Sequence, residues 1–329
     1  MNNMEEFKLD EKDKKILIEL QKNSRQSFSK IGKSVGLPKT VVAYRFKRMT
    51  QAGFLTLFCA VINKKKFGYI QSRLFLKFHN FNEKQEKNLL DFLKKQAGIH
   101  WVATLNGCYD FAITILSRNI EELNSTYSQI IYNFSNYLLE KELSIQTKSQ
   151  YFPLRNVFDN QITKKSIKNK ESKSFKLSET DTKIINLIKE DSRIPLLDIS
   201  EKLNLSVQTT RSRIKGMIKN NIIQSFRIRV NHKMLGYHHF HTFLSLSDLN
   251  EEKEKKIISF LSQFSSTINI TKGTGKYDLE FESIIKSHFE LYEIISKIKN
   301  AFPENIRDTN SALIYKIHPI NTVKYFLKI

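Results

Sequence analysis

The chain has 329 residues, of which 40% are apolar, and it contains 24 Phe. This composition supports hydrophobic cores and excludes a disordered chain, while 10 Gly and 5 Pro are too few for a loop-rich all-β fold. The formal net charge of +21 favours a polyanionic partner, nucleic acid before an anionic membrane. Cys59 and Cys108 form no Cys-x-x-Cys pair, so no thiolate zinc site is expected.

The start of the chain carries acidic residues and no apolar segment, so it does not resemble a signal peptide. The longest apolar run, 57–62, is far too short to span a bilayer. We therefore expect a soluble, cytoplasmic protein without a membrane partner.

The sequence repeats itself at a fixed offset of 168 positions, from about residue 9 to residue 117. The matching pairs include Asp13 and Asp181, Ser24 and Ser192, Arg45 and Arg213, Gly68 and Gly236, and Tyr109 and Tyr277. A register kept without a gap over this length indicates a tandem duplication. The polar, lysine-rich segment 156–176 predicts a linker between the two copies.

Each copy begins with three predicted short helices. Asp10 is a candidate N-cap of the first helix, Gly36 ends the second, and Pro38 suits the first turn of the third, which stops near Gly53. In the second copy the corresponding helices are expected near 178–190, 195–203 and 207–220. Three short helices with a tight turn before the third predict a helix-turn-helix.

The remainder of each copy is predicted to form an α+β domain. In the first copy, strands are expected at 54–62, 72–78, 100–105, 109–116 and 143–151, and helices at 83–96 and 120–134. The order β-α-β-β-α-β is that of a ferredoxin-like domain. The predicted fold class is therefore α+β, with two tandem units that each join a winged helix-turn-helix to a ferredoxin-like βαββαβ regulatory domain. The expected boundaries are 1–62 and 177–230 for the helix-turn-helix domains, and 63–155 and 231–329 for the regulatory domains.

The acidic residues avoid one part of each copy. Residues 31–82 contain no Asp or Glu and ten Lys or Arg, and residues 202–247 contain no acid and eight Lys or Arg. Acids make up 33 of 329 residues, so two acid-free stretches in register are unexpected by chance. Positive charge alone over the third helix and the following strands fits phosphate binding.

The third helix of each copy has outward side chains suited to a DNA groove, because Lys and Arg can donate to guanine and Thr can contact bases or the thymine methyl. These side chains are Lys39, Thr40, Ala43, Tyr44 and Lys47 in the first copy, and Gln208, Thr209, Arg211, Ser212 and Lys215 in the second. We predict that they bind double-stranded DNA together with Arg45, Arg48 and Arg213. Arg45 and Arg213 fit phosphate contacts or ion pairs with an acid of the first helix equally well.

Several short motifs follow one another in a fixed order. They are Leu9-Asp10-x-x-Asp13-x-x-Ile16-Leu17, Asn23-Ser24-Arg25, Ile31-Gly32-x-x-Val35-Gly36-Leu37, Arg45-x-x-x-Met49-x-x-x-Gly53-Phe54-Leu55, Asn63-x-x-x-x-Gly68-Tyr69, Asn106-Gly107-x-Tyr109-Asp110 and Thr274-Gly275-x-Tyr277-Asp278. In this order they resemble the leucine-responsive and asparagine-synthase regulator (Lrp/AsnC) family over nearly the whole chain, twice. Two departures are Asn106, where the family usually has Thr, and Asn221, where it usually has Gly.

The resemblance implies a sequence-specific DNA-binding transcriptional regulator. Family members bind DNA as dimers, or as rings of dimers, through paired regulatory-domain sheets, and many bind a small effector, often an amino acid, near the Gly-x-Tyr-Asp turn. In this chain the turn residues are Gly107, Tyr109, Asp110, Gly275, Tyr277 and Asp278. Because a usual member has half this length, two units in one chain imply an intramolecular pseudo-dimer, with further homo-oligomerisation open.

Two alternative functions share features with this sequence. Sirohaem decarboxylases pair the same two kinds of domain, and they resemble one another in a His/Tyr/Arg-rich stretch that corresponds to 100–104 and 267–271 here. Those two stretches hold one His and no Arg, so we expect that the chain is not an enzyme and uses no cofactor. The other alternative is a non-specific architectural DNA-binding protein, which tandem basic helix-turn-helix domains would permit.

His239 and His241 share a face of a predicted strand and could begin a metal site. No carboxylate or Cys lies near them in the sequence, so they are expected to be sheet histidines. We predict no metal, and we find no Ser/His/Asp triad, paired acids or phosphate-binding Gly loop.

Overall fold

The computed structural model describes residues 7–158, 177–318 and 320. These residues fall into two compact units, and each unit draws on both copies of the duplication, here termed repeat 1 and repeat 2. One unit takes its residues from Met1–Lys66 and Arg155–Tyr237, and the other takes them from Phe67–Leu154 and His238–Lys328. All but the first three positions of the predicted linker lie outside the described residues.

Repeat 1 has the predicted order of elements. Its helices are α1 (Glu11–Lys22), α2 (Phe28–Val35), α3 (Lys39–Gln51), α4 (Glu83–Lys95) and α5 (Ile120–Phe134). Its strands are β1 (Leu55–Ile62), β2 (Ile70–Phe78), β3 (Ile99–Gly107), β4 (Phe111–Ser117) and β5 (Leu138–Tyr151). β5 begins five residues earlier than predicted, which gives it enough length to pair with two different strands.

Repeat 2 follows the same order, so the predicted α+β class with tandem units is confirmed. Its helices are α6 (Glu179–Glu190), α7 (Leu196–Leu203), α8 (Val207–Lys219), α9 (Glu251–Leu261) and α10 (His288–Ala301). Its strands are β6 (Ile223–Val230), β7 (His238–Leu246), β8 (Thr267–Thr274), β9 (Leu279–Ile285) and β10 (Ile306–His318).

Local capping explains why the helix boundaries could be predicted. The Asp10 side chain accepts a hydrogen bond from the backbone N–H of Asp13, and the Asp13 carboxylate accepts one from the backbone N–H of Asp10. Ser178 and Asp181 form the same reciprocal pair at the start of α6. Pro38 lies one residue earlier than predicted, at the N-cap of α3.

Two helix ends show how the repeats diverged without a change of backbone. Gly36 and Gly53 have φ values of +69° and +71°, a left-handed conformation that Gly adopts without strain. At the equivalent positions of repeat 2, Asn204 and Asn221 have φ values of +52° and +57°. Asn is the residue that tolerates this conformation best after Gly, so the replacement of Gly by Asn221 preserves the turn.

In the first unit, the strand after each helix-turn-helix pairs with its counterpart from the other repeat. β1 and β6 run antiparallel, with Leu57 opposite Arg229 and Ala60 opposite Phe226. A strand left single would expose a row of unpaired backbone donors and acceptors. The two helix-turn-helix domains are therefore joined by a two-stranded sheet.

In the second unit, eight strands close into a barrel in the order β10-β3-β4-β2-β5-β8-β9-β7. Each ferredoxin-like domain contributes four adjacent strands. β5 pairs with β2 of its own repeat and with β8 of the other, while β10 pairs with β7 and with β3. All edges of the two four-stranded sheets are thereby paired among the described strands.

Closure of the barrel buries both faces of each sheet. Leu74, Leu76 and Phe78 of β2 pack in one core with residues of α4 and α5, as their alternation predicts. The intervening Phe75 packs into a second core inside the barrel. That inner core contains Phe75, Leu105, Tyr109, Phe243, Tyr277 and Ile314. The alternation along β2 predicts only one buried face. The second face is buried because the other sheet of the barrel covers it, and the pattern of one strand does not reveal that contact.

Gly107 provides a test of this packing. Its φ is +143°, and a Cβ there would lie 2.6 Å from the carbonyl oxygen of Ser311 and 2.9 Å from the Cα of Ala312 on β10. We expect Gly107→Ala to lower the free energy of unfolding by about 2 kcal/mol, because relief of the overlap would break strand pairing. Urea denaturation would measure the change.

Gly216 on α8 is a matched control, since a Cβ there has nothing within 4 Å. Gly216→Ala should raise the free energy of unfolding by about 0.5–1 kcal/mol, because it removes a glycine from a helix. Similar effects of the two substitutions would contradict the packing described for Gly107.

Candidate nucleic-acid interface and regulatory turns

α3 and α8 each present one face to solvent and bury the other. The exposed side chains on these helices include Lys39, Thr40, Tyr44, Lys47 and Arg48 in repeat 1, and Gln208, Thr209, Arg211, Ser212 and Lys215 in repeat 2. Tyr44 is 70% exposed, which is unusual for a large aromatic side chain, whereas Ala43 is half-buried. On the opposite side Val42, Met49, Ile214 and Met217 are buried.

Arg45 and Arg213 form ion pairs with the first helix of their own repeat. Arg45 Nη1 lies 2.6 Å from Asp10 Oδ2 and 2.9 Å from Asp13 Oδ1, and Arg213 Nη1 lies 3.1 Å from Asp181 Oδ1. Burial opposes ionisation of Asp10, but the hydrogen bond from the backbone N–H of Asp13 and the Arg45 guanidinium lower its pKa overall. The structure therefore supports the ion-pair alternative for both arginines.

Arg48 also contacts the buried Asp13 carboxylate, yet its side chain stays 40% exposed. One guanidinium nitrogen holds the acid, and a guanidinium carries five N–H donors in all. Arg48 can thus pair with α1 and still face a phosphate.

A reciprocal contact holds the two helix-turn-helix domains together. Ser24 Oγ and Ser192 Oγ lie 2.8 Å apart, and the backbone N–H of Ser24 donates to Phe226 as that of Ser192 donates to Phe58. Each neighbouring arginine donates to backbone carbonyls of the other repeat. Arg25 donates to Ser192 and Ile194, and Arg193 donates to Ser24 and Gln26. This is the contact expected of a two-fold pair.

Arg193 links the contact around Ser24 and Ser192 to α2 and α3 of repeat 1. Its guanidinium lies 4.9 Å from the ring centres of Phe28 on α2 and Phe46 on α3. Burial lowers the pKa of both Arg25 and Arg193. Sequence reasoning assigned the Asn23-Ser24-Arg25 motif no role, although the matched Ser-Arg pair at the same place in both repeats was the available signal.

The exposed cations of the acid-free stretches lie within the first unit. They include Lys33, Lys39, Lys47, Lys202, Arg211, Lys215, Lys219 and Arg229. Because the acids of α1 and α6 that face these stretches are already paired with arginines, they do not neutralise the exposed lysines. These exposed cations are suited to contact a phosphate backbone.

The two predicted effector turns are each tied to a neighbouring strand. The Asp110 carboxylate accepts hydrogen bonds of 2.8 Å from the backbone N–H of Phe78 and from Lys77 Nζ, and Asp278 accepts one of 2.7 Å from the backbone N–H of Leu246. Each aspartate therefore fixes its turn, as a capping residue does. The neighbouring Gly275 is required for close packing, since a Cβ there would lie 2.9 Å from the carbonyl oxygen of Leu143.

Tyr109 and Tyr277 meet inside the barrel. They are 1% and 2% exposed, and their hydroxyl oxygens lie 3.3 Å apart. Burial raises the pKa of both phenols. The structure thus brings the tyrosines of the two predicted turns together.

A buried charge cluster lies in the same barrel and comprises Arg73, His239, His241, Glu280 and Glu282. His239 Nε2 lies 2.9 Å from Glu282 Oε2, and His241 Nε2 lies 3.0 Å from Glu280 Oε2. Arg73 Nη1 lies 3.3 Å from Glu282 Oε1 and 3.6 Å from Glu280 Oε2.

The expectation that no carboxylate accompanies the two histidines is therefore wrong, because β9 brings in glutamates that are distant in sequence. In the described part of the chain, no group of three or more His, Cys, Asp or Glu side chains has an arrangement that could hold a metal ion. A guanidinium supplies positive charge to the two carboxylates instead.

This cluster keeps its acids ionised. Burial alone would raise the pKa of Glu280 and Glu282, but hydrogen bonds from the histidines and the charge of Arg73 lower both, that of Glu282 well below its usual range. Asn269 Nδ2 donates to Glu282 Oε1 over 3.2 Å, which also favours the ionised form. Sequence reasoning missed Arg73, Glu280 and Glu282 as members of one site.

Two helix-turn-helix domains with exposed basic recognition helices define a helix-turn-helix DNA-binding protein. The family of AsnC-type helix-turn-helix domains matches residues 9–50, and the family described as winged helix-turn-helix DNA-binding matches residues 177–224. The HTH-type transcriptional regulator FL11 of Pyrococcus abyssi is 31% identical over 146 residues, which cover 44% of this chain and 94% of FL11. FL11 of Pyrococcus furiosus is 27% identical over the same length and the same shares of the two chains. The chain belongs to the Lrp/AsnC family of transcriptional regulators, as a tandem duplication of its unit.

Solved structures extend the comparison to the whole chain. Siroheme decarboxylase NirDL, solved in complex with an iron-uroporphyrin III analogue, covers 97% of this chain and 95% of its own, with a TM-score of 0.65 and 12% identity. AsnC of Escherichia coli covers 43% of this chain, with a TM-score of 0.38 and 21% identity. The expectation that the chain is not an enzyme is contradicted by the first likeness, because an enzyme has this tandem fold. At 12% identity the likeness shows the fold alone. In the described residues no helix is long and apolar enough to cross a membrane.

The charge cluster predicts a specific loss of stability in acid. In the unfolded chain a Glu titrates near about 4.3, whereas the folded pKa of Glu282 lies well below its usual range. The stability that Glu282 contributes is therefore complete above the unfolded pKa and is lost as the pH falls through the folded value. Thermal unfolding from pH 6 down to pH 2 should show a smaller decrease for Glu282→Gln than for the wild type. Parallel curves for the two proteins would contradict this assignment.

Proposed function

We propose that this regulator binds specific DNA sequences as a single-chain pseudo-dimer in which each repeat supplies one recognition helix. The observation that carries the proposal is the reciprocal Ser24–Ser192 contact, which holds the two helix-turn-helix domains as a pair. A symmetric pair of this kind presents two recognition helices to one face of a duplex.

The two kinds of exposed side chain have different tasks in this proposal. Lysines and arginines at the helix ends neutralise phosphates, which gives affinity and strong salt dependence without reading sequence. Thr40 and Tyr44 on α3, and Gln208 and Ser212 on α8, are the exposed polar groups suited to base edges. Thr40, Tyr44 and Ser212 lie between basic residues of the same helix, which supports a position toward the groove.

The recognition helices are not equivalent, so the proposed operator is asymmetric. At the offset of 168, Thr40 corresponds to Gln208, Ala43 to Arg211 and Tyr44 to Ser212. Identical helices of a dimer read a near-palindrome with half-sites roughly 34 Å apart. These two helices should read unlike half-sites at the same spacing.

Covalent linkage favours pairing within the chain. A flexible linker raises the effective concentration of one repeat for the other into about the millimolar range. Pairing between chains would need protein concentrations of that order to compete. The proposal also includes a higher homo-oligomer, in which whole chains associate through the outer faces of their regulatory domains.

The first test removes three exposed side chains of α3, which are the base-facing Tyr44 and two lysines proposed to contact phosphates. Lys39→Ala, Tyr44→Ala and Lys47→Ala together should abolish specific binding, because all three are exposed and have no role in the fold. Fluorescence anisotropy with a selected duplex, against competitor DNA of unrelated sequence, would measure it. Equal competition by unrelated DNA in the wild type would favour an architectural DNA-binding protein instead.

Arg45→Met is the matched control for that test. It removes a cation from the same helix, but one that is engaged with Asp10 and Asp13. We expect it to lower the free energy of unfolding by about 3 kcal/mol, because it leaves the buried Asp13 carboxylate short of a partner. The triple alanine variant should unfold within about 0.5 kcal/mol of the wild type.

The second test concerns the symmetry of the operator. A selected-site library should yield two unlike half-sites for the wild-type chain. Thr40→Gln, Ala43→Arg and Tyr44→Ser copy α8 residues onto α3, and this variant should select a nearly palindromic site. Selection of a palindrome by the wild type, with two chains bound per site by light scattering, would contradict the pseudo-dimer.

Regulation by an amino-acid-like effector at the two Gly-x-Tyr-Asp turns is a further part of the proposal. A carboxylate offers about four lone-pair sites, so Asp110 and Asp278 retain capacity for an ammonium group beside their backbone hydrogen bonds. A thermal-shift screen with the amino acids tests this, with Asp110→Asn combined with Asp278→Asn as the control that should lose any shift. Stabilisation by none of them would count against the effector.

Decarboxylation of an iron tetrapyrrole is the second candidate function, and the whole-chain likeness to siroheme decarboxylase NirDL favours it. It ranks second because Arg73, His239 and His241 already contact Glu280 or Glu282. A substrate carboxylate would have to displace one of these buried acids. Titration of the purified chain with iron-uroporphyrin III tests this candidate, since a bound tetrapyrrole shifts its visible absorption. An unchanged spectrum would remove it.

A further inference from the structure

The buried charge cluster is distributed unequally between the two repeats. Only Arg73 belongs to repeat 1, while both histidines and both glutamates belong to repeat 2. Its side chains are about one-tenth exposed or less, with His241 and Glu280 at 0% and 1%. Charges this deeply buried must be compensated within the barrel.

Strand register shows which residues of the repeats are equivalent. β2 pairs with β4 through Leu74 and Ile113, and β7 pairs with β9 through Thr242 and Phe281, which is the same register at an offset of 168. Arg73 therefore occupies the position of His241. Ala112 and Thr114 occupy the positions of Glu280 and Glu282.

This equivalence allows us to count the buried charges of a barrel built from two copies of the same repeat. A barrel built from two copies of repeat 1 would bury two Arg73 guanidiniums without a buried acid, because β2, β3 and β4 contain no Asp or Glu and the two glutamates of β5 are not buried. A barrel built from two copies of repeat 2 would bury four glutamates with four histidines and no guanidinium, because β7 and β9 contain no Lys or Arg and the cations of β8 and β10 are not buried. The mixed barrel places one buried guanidinium 3.3 Å from Glu282 Oε1 and 3.6 Å from Glu280 Oε2.

We propose that this cluster makes the barrel selective for a sheet of repeat 1 paired with a sheet of repeat 2. The inference rests on the pseudo-dimer proposed above and explains how like repeats of different chains are kept from pairing. The contact that discriminates is Arg73 with Glu280 and Glu282, because a pair of repeat 1 would bury guanidiniums without these carboxylates and a pair of repeat 2 would bury the carboxylates without a guanidinium.

The same rule extends to other proteins of this fold. A partner sheet fits repeat 2 only if it brings a buried cation to the position of Arg73. A sheet with an apolar residue there would leave Glu280 and Glu282 short of positive charge. Repeat 2 therefore excludes regulatory domains that lack this cation, including a second copy of itself.

Selectivity can be measured after the repeats are disconnected. A protease site placed between residues 160 and 175 allows the purified full chain to be folded and then cut. Partial unfolding in urea followed by dilution lets the halves exchange, and native mass spectrometry separates like from unlike pairs by mass. Random association would give as many like pairs as unlike pairs, so we expect at least about tenfold fewer like pairs in the wild type.

Two variants assign the selectivity to charge. Arg73→Leu with Glu280→Ala and Glu282→Thr removes the cluster by copying the residues of repeat 1, and like pairs should then rise at least about tenfold. Glu280→Gln with Glu282→Gln keeps the side-chain shapes and should allow pairs of repeat 2 if the first variant does not fold. Arg73→Lys retains the buried cation and should behave as the wild type.

Abundant like pairs in the cut wild type would overturn the proposal, as would unlike pairing that persists unchanged in both uncharged variants. Failure of the pseudo-dimer itself gives a different result. The uncut chain would then have the mass of two chains at low concentration. Loss of DNA binding would leave all of these masses unchanged.

Discussion

Strand pairing between the two repeats is the interaction on which the rest of the structure depends. β5 and β10 each run past the end of their own sheet and continue into the other repeat, so that two open four-stranded sheets become one closed barrel. Neither sheet could satisfy its edges alone, because a four-stranded ferredoxin-like sheet has no fifth strand to cover them. The interior core, the meeting of Tyr109 with Tyr277 and the charge cluster exist only because the barrel closes.

The helix-turn-helix domains also cover their strand edges by pairing between the repeats, in a sheet of two strands. Their β1 and β6 strands pair with each other, and the serine–arginine contacts repeat across the same pair. Each repeat thus meets its counterpart in both compact units. One polypeptide thus carries two helix-turn-helix domains that contact each other.

Local features of the chain were predictable and non-local ones were not. The capping residues Asp10 and Ser178, and the turn at Gly36, act within a few positions, so element boundaries follow from neighbouring residues. The partners of Arg73 lie more than 200 positions away on β9, and nothing in its surroundings predicts them. The ion pair between Arg45 and α1 was partly predictable from the sequence. The duplication places Arg213 and Asp181 at the positions that correspond to Arg45 and Asp13, and these two residues also form an ion pair.

The comparison of the repeats separates what the fold requires from what has been free to change. Residues of the interfaces between repeats recur in both copies, as with Ser24 and Ser192 or Tyr109 and Tyr277. The outward faces of α3 and α8 differ, although both remain exposed. The barrel interior has changed only in part, since Tyr109 and Phe75 recur as Tyr277 and Phe243 while Arg73 stands in the place of His241.

Arg73 lies in one repeat and its two glutamates in the other, which makes the loss of either repeat in evolution unfavourable. Recombination between the two homologous halves of the gene would delete one repeat and leave a protein of ordinary family length. Paired with a copy of itself, one present half would bury Arg73 without its two glutamates, and the other would bury the glutamates without Arg73. With Arg73 and its two glutamates in place, deletion of either repeat would leave buried charges without their partners. The two halves of the gene must therefore be kept together.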